Sequence, residues 1–182
     1  MKYFKTITLK NGKEALLRNA DKNDGEAVYH LFNKTHEETD YLLSYPEENS
    51  YTIEQEREFL ENKTNSSNEI EIVVIIDNKM VATAGIDAVG SKYKVKHRAE
   101  FGISILKEYW GLGIGEALSR ACIECAKEAG YIQLELNAVS DNISAISLYK
   151  KLGFIEFGRN PKGFNSKISG YQELVYMLLE LN

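Results

Sequence analysis

Gly111, Gly113 and Gly115 stand at alternate positions in the run EYWGLGIGEALSRACIECAKEA, and that spacing constrains the fold more than any other feature of the chain. Each glycine inside a helix costs about 1 kcal/mol relative to alanine, so three in five residues predict a turn. Ahead of it, Phe101 to Leu106 alternates large apolar and small residues and reads as a strand. Behind it, Ile114, Ala117, Leu118, Ala121, Cys122, Cys125, Ala126 and Ala129 fall on one face of a helix. Strand, glycine loop and helix together make an anion cradle. The first amides of the helix lack intrahelical partners, the macrodipole is positive there, and glycine lets a phosphate approach the backbone. The spacing G-x-G-x-G is not the dinucleotide fingerprint, and no Gly-Lys-Ser/Thr follows to make a P-loop.

The rest of the chain supplies a sheet and its cover. Lys5 to Leu9 and Ala15 to Arg18 read as strands joined through Asn11-Gly12, a hairpin signal. Asp21 or Asp24 caps a helix to about Thr35, with Ala27, Val28, Leu31 and Phe32 inward. Thr52 opens a second helix, with Gln55 completing a capping box and Ile53, Phe59 and Leu60 apolar. Lys63 to Asn68 reads as a polar loop. Ile70 to Ile76 and Met80 to Val89 are strands about a turn at Asp77 to Lys79. After the long helix, closed by Gly130, come a strand from Ile132 to Ala138 and a helix capped by Asp141 or Asn142 and closed by Gly153. A short strand, Phe154 to Phe157, precedes an expected loop from Arg159 to Gly170 and a last strand, Tyr171 to Leu181. The order ββααβββαβαββ predicts an α/β (α+β) domain with a mixed sheet between helices.

Length and composition narrow the class. The 182 residues predict one domain, 1–182, and the net charge of −5 speaks against nucleic-acid binding. There is no apolar run of spanning length and no signal-peptide core, so no membrane partner is expected. Two cysteines are too few for a disulfide scaffold and fit a reducing cytoplasm. Cys122 and Cys125 lie on the apolar helix face, where core packing is the natural role. His30, His36 and His97 are not clustered, and no metal site is expected.

Two motifs in this order resemble the GCN5-related N-acetyltransferases, the GNAT superfamily. Trp110-Gly111-Leu112-Gly113-Ile114-Gly115 is similar to that family's Gln/Arg-x-x-Gly-x-Gly/Ala pyrophosphate loop. Asn142 to Phe154, NISAISLYKKLGF, is similar to its Asn-x-x-Ala-x-x-Leu-Tyr-x-x-x-Gly-Phe run. The resemblance implies a central, mostly antiparallel mixed sheet flanked by helices on both faces. It implies acetyl-CoA as co-substrate and transfer to a primary amine, either a small molecule or a peptide N-terminus, by direct attack in a ternary complex. The backbone of Trp110 to Gly115 would hold the pyrophosphate. Ile103, Ser104 and Ile105 would pair with the pantetheine arm where their strand splays from its neighbour after Ala138, with the Ile105 amide facing the thioester carbonyl. Asn142 would bond the same arm, or only cap its helix. The Tyr149 hydroxyl would protonate the leaving thiolate, and Glu100 would take the amine proton. Trp110 departs from the pattern's Gln or Arg, which removes any side-chain role specific to those residues.

Each assignment has a plainer counterpart. Tyr149 fits a core, and Glu100 fits an ion pair with Arg98. Lys107, Arg120, Lys150 and Lys151 suit outer phosphates or bare solvation. The acid-rich span from His36 to Glu61, with Glu47 and Glu48 in it, suits a cationic acceptor or a solvated face. A non-catalytic acyl-CoA-binding module is the alternative to an enzyme, and a longer acyl group or another nucleophile is a further variant. Monomer and homodimer both remain open.

Overall fold

A computed structural model describes residues 1–181, and Asn182, the end of the expected domain, lies outside them. The described residues form eight strands and four α-helices in the expected order. β1 (Phe4–Thr8) and β2 (Glu14–Asn19) lead to α1 (Gly25–Glu38) and α2 (Ile53–Asn65). β3 (Ile70–Ile76), β4 (Lys79–Ala88) and β5 (Arg98–Ile105) follow, then α3 (Ile114–Glu128) and β6 (Gln133–Val139). α4 (Ile143–Lys151), β7 (Ile155–Ser166) and β8 (Gly170–Glu180) close the chain.

The strands make one sheet in the order β1-β2-β3-β4-β5-β6-β8-β7. Every pairing is antiparallel except β5 with β6. β3 lies between β2 and β4 and is buried on both faces, as its β-branched run requires. Ile70, Ile72, Val74 and Ile76 share a core with Leu118, Ala121, Cys122 and Cys125 of α3. Val73 points the other way, into a cluster with Ala20, Val28 and Leu60 under α1 and α2. Helices therefore cover both faces. Cys122 and Cys125 are buried free thiols, and burial pushes both upward in pKa.

Four expectations need correction. Arg159 to Gly170 is not a loop, because β7 runs on to Ser166 and pairs with β8 through register shifts after Glu156 and Asn160. Those irregularities absorb Pro161, which has no amide to donate, and Gly163, where a Cβ would overlap Leu174. Lys63 is not in a loop either. It lies in α2, 3% exposed, with its ammonium donating to the Ile86 carbonyl at 3.0 Å and paired with Asp87. Ala27 is exposed, because the buried stripe of α1 runs Gly25, Val28, Leu31, Thr35, and Ala27 is rotated off it. Finally, β5 and β6 part company early. Only Arg98, Ala99 and Glu100 pair with Gln133, Leu134 and Glu135, so the split opens three residues ahead of Ala138.

Candidate active site

The split between β5 and β6 is the centre of the site. Leu106 donates its amide to Val81 of β4 at 3.0 Å. In an antiparallel ladder successive amides alternate in direction, so the amides of Ile105 and Ile103 face away from β4 and into the split. The β5 edge there has no partner strand. An extended amide-bearing arm could pair with it as a pseudo-strand.

At the end of β5 the chain turns into α3. Gly111 has φ of 77° and Gly113 of 95°, the left-handed region that a side chain resists. Gly115 serves a different end, because a Cβ there would come within 3.3 Å of Leu148 of α4 and 3.6 Å of Ile105. Two glycines thus shape the turn, and the third lets α3 and α4 pack closely at the mouth of the cradle. Gly113 caps α3 without a side-chain hydrogen bond, so the first helical amides stay free for an anion.

Trp110, at the position of the pattern's Gln or Arg, donates its indole N–H to the Ile105 carbonyl at 2.8 Å. The carbonyl of Ile105 is therefore taken within the chain, while its amide is not. Lys10 is a residue that sequence reading misses. Its amide donates to the Leu112 carbonyl at 3.2 Å, and its side-chain stem lies over Gly113. The β1–β2 hairpin thereby brings a cation to the cradle, and nothing in the sequence links positions 10 and 113. By contrast Arg120 and Lys151 both bind Glu116, at 2.8 and 2.7 Å, which spends part of their charge. Lys107 lies 6.0 Å from the Trp110 ring, and Lys150 is exposed.

Across the split, Asn142 caps α4 by accepting from the Ala145 amide at 3.3 Å. That occupies its carbonyl oxygen and leaves its NH2 group to donate. Tyr149 is 7% exposed, edge-on to Phe101 with centroids 6.1 Å apart, and also against Phe154. Burial pushes its phenol up to about 12. Burial is the sole cause of that shift, with no hydrogen bond contributing to it.

Glu100 alternates with Phe101 and points to the opposite face, the one covered by α1 and α2. Arg98 does not pair with it. Arg98 instead gives two hydrogen bonds to Glu135, at 2.5 and 2.7 Å, so Glu100 stands exposed. Glu100 and Ile105 are five residues apart on one strand, about 16 Å at the usual rise. The structure thus brings Ile103, Ile105, Trp110 to Gly115, Asn142 and Tyr149 around one split, with Glu100 at its closed end and on the far face. The acid-rich span is largely engaged already. Glu47 pairs with Lys167 at 2.6 Å, and Glu48 accepts from the Tyr45 amide at 2.8 Å.

A sheet that opens beside a glycine-shaped helix N-terminus defines a class of protein built for an anionic ligand with an extended arm. The model of the acetyltransferase (GNAT) family matches residues 26–154, and the chain belongs to that family. It is 26% identical to a GNAT-family acetyltransferase from Streptococcus pneumoniae, with a TM-score of 0.87 over 91% of this chain and 99% of that one. A Salmonella typhimurium protein solved with its cofactor acetyl-CoA shares the fold at a TM-score of 0.81 and 20% identity, covering 92% and 94% of the two chains. The L-amino acid N-acetyltransferase AaaT of Escherichia coli is 32% identical over 59% of this chain and 65% of its own. The matched stretches span 37% to 65% of the length of such curated relatives. Among the described residues no helix is long and apolar enough to cross a membrane, and no group of His, Cys, Asp and Glu could hold a metal ion.

Proposed function

We propose that the chain is an acetyl-CoA-dependent N-acetyltransferase that moves the acetyl group onto a primary amine by direct attack in a ternary complex. The observation that carries this reading is the Tyr149 phenol, 7% exposed, across the split from the unpaired edge of β5 and beside the glycine cradle. The cradle and Lys10 hold the pyrophosphate, the β5 edge and the Asn142 NH2 group hold the pantetheine arm, and Trp110 fixes the end of β5. A neutral amine nitrogen attacks the thioester carbon, and the oxyanion takes a hydrogen bond from a β5 amide. The edge-on contact of Tyr149 with Phe101 favours the Ile103 amide for this, two residues nearer than Ile105. Collapse of the tetrahedral intermediate breaks the C–S bond, and Tyr149 gives its proton to the sulfur. A pKa pushed up to about 12 keeps that proton in place at neutral pH. Glu100 takes the amine proton through water, since its separation from the split is too long for a direct hydrogen bond.

The test is thiol release from acetyl-CoA with a panel of amines, together with Tyr149→Phe. The variant should bind CoA as before and lose about 10²- to 10⁴-fold in kcat, the usual worth of a general acid. CoA binding with no thiol release by the native protein would establish the non-catalytic module instead.

A further inference from the structure

The sheet face under α1 and α2 carries a carboxylate that the proposed transfer leaves idle. Glu71 of β3 stands directly opposite Gly85 of β4, and Gly85 stands opposite Gly102 of β5. The Oε1 of Glu71 accepts from the Thr83 hydroxyl. Its Oε2 lies where a Cβ on Gly85 would stand, closer than any side chain there could tolerate. The glutamate of β3 thus fills the place that β4 leaves vacant. The next place, over Gly102, is open, because a Cβ there would meet nothing within 4 Å. Directly opposite side-chain positions on neighbouring strands are about 5 Å apart, so an atom over Gly102 is one hydrogen bond or one water from Glu71. Gly102 is exposed, whereas Phe101, Leu106, Ile114 and Tyr149 are buried and close the opposite face. Gly102 also precedes Ile103, whose amide faces the split. Glu100 is two residues back on the same face as Gly102, about 7 Å away at the usual rise.

Burial pushes the Glu71 carboxyl upward, the Lys63 charge and the Thr83 hydrogen bond oppose that, and the Asp87 charge adds to it. The ionisable groups around it come from several elements. α2 brings Glu56 and Lys63, β4 brings Asp87, β5 brings Glu100, and Cys122 of α3 feels it through the sheet. Lys63 is itself paired with Asp87 and donates to the Ile86 carbonyl at 3.0 Å, so its charge is shared. Glu69, two residues back on β3, accepts from the Ala88 amide at 3.0 Å. α1 turns Val28, Leu31 and Thr35 inward and adds no charge. Resting on the acetyl-transfer reading, we propose that Glu71 is a second acceptor of the amine proton, sharing with Glu100 a water held over Gly102. As the C–N bond forms, the nitrogen gives a proton to that water, and the water gives one to Glu71 Oε2. One N–H bond breaks, one carboxyl O–H bond forms, and the water is unchanged. Thr83 keeps the carboxylate turned over Gly85 and toward β5.

The experiment follows thiol release from acetyl-CoA with the fastest amine of the panel, from about pH 5.5 to about pH 9, in the native protein, Glu71→Gln and Gly102→Ala. Gln keeps the size of Glu71 and can still accept from Thr83, and the methyl of Gly102→Ala enters open space. CoA affinity and circular dichroism check that both variants fold. Once the amine's own ionisation is divided out, kcat/KM of the native protein should fall as pH drops through the raised value of Glu71. Glu71→Gln should lose about tenfold to 10²-fold at neutral pH, and its acid limb should move about one pH unit or more lower. Gly102→Ala should lose about tenfold in kcat, keep the native acid limb and bind CoA as before. An acid limb at the native pH in Glu71→Gln overturns the inference, and so does a native kcat in Gly102→Ala. If Glu71→Gln does not fold, Gly102→Ala decides alone. In each of these cases acetyl transfer itself stands. Absence of thiol release by the native protein with the whole panel overturns the transfer reading, and this inference with it.

Discussion

Glu56 lies on α2, 8% exposed, and faces the sheet beside Glu71. Burial, with the negative charge of Glu71 second, pushes its carboxyl from 4.5 to about 7. The folded chain therefore holds a proton there that the unfolded chain releases near 4.5. Between those values the native state binds more protons, so stability falls as pH rises from about 4.5 to about 7 and is level above. A rise from 4.5 to about 7 corresponds to a ceiling of about 3 kcal/mol. Solvent reaching the carboxylate screens part of that, leaving about 1 to 2 kcal/mol. Glu56→Gln keeps the size and removes the titration. At about pH 8 the variant should melt roughly 3 to 6 °C above the native protein, and at about pH 4.5 the two should nearly coincide. Circular dichroism melts at several pH values between these limits measure it. A Tm difference that does not change with pH, or a variant less stable at about pH 8, would refute the assignment of the raised pKa to Glu56.

Other expectations concern the donor half. Gly113→Ala places a Cβ at φ of 95°, so it should cost about 1 to 2 kcal/mol of stability and weaken CoA more than any other ligand. Denaturant melts and CoA titration read both effects. Lys10→Ala should weaken CoA about two- to tenfold at low salt, with the gap narrowing as ionic strength screens an exposed charge. Trp110→Phe keeps an aromatic ring but loses the bond to the Ile105 carbonyl, so kcat should fall by about two- to tenfold, the worth of one positioning hydrogen bond. Unaltered single-turnover rates would remove Trp110 from that role.

The donor half was legible because it is local. The Phe101 to Ala129 run carries strand alternation, turn and helix period side by side, and the structure has β5, a positive-φ turn and α3 there. The order of all twelve elements follows from the same periodicities. What escaped the sequence depends on partners far along the chain. Residues 159–170 look like a loop because proline, glycine and polar residues weaken a strand. They become one because β8 lies alongside and the bulges absorb the misfits. Lys63 reads as solvated until Ile86 and Asp87 supply its burial. Lys10 reaches Gly113, and Asp40 reaches Ser166 across 126 positions, with no local trace of either. The two halves of the site therefore differ in how they are encoded. The strand edge and the glycine turn of the proposed donor site rest on backbone amides and dihedrals, and short stretches of sequence specify those. Long-range hydrogen bonds such as those from Ser166 to Asp40 tie the chain after α1 to the β7–β8 turn, and no short stretch of sequence specifies those.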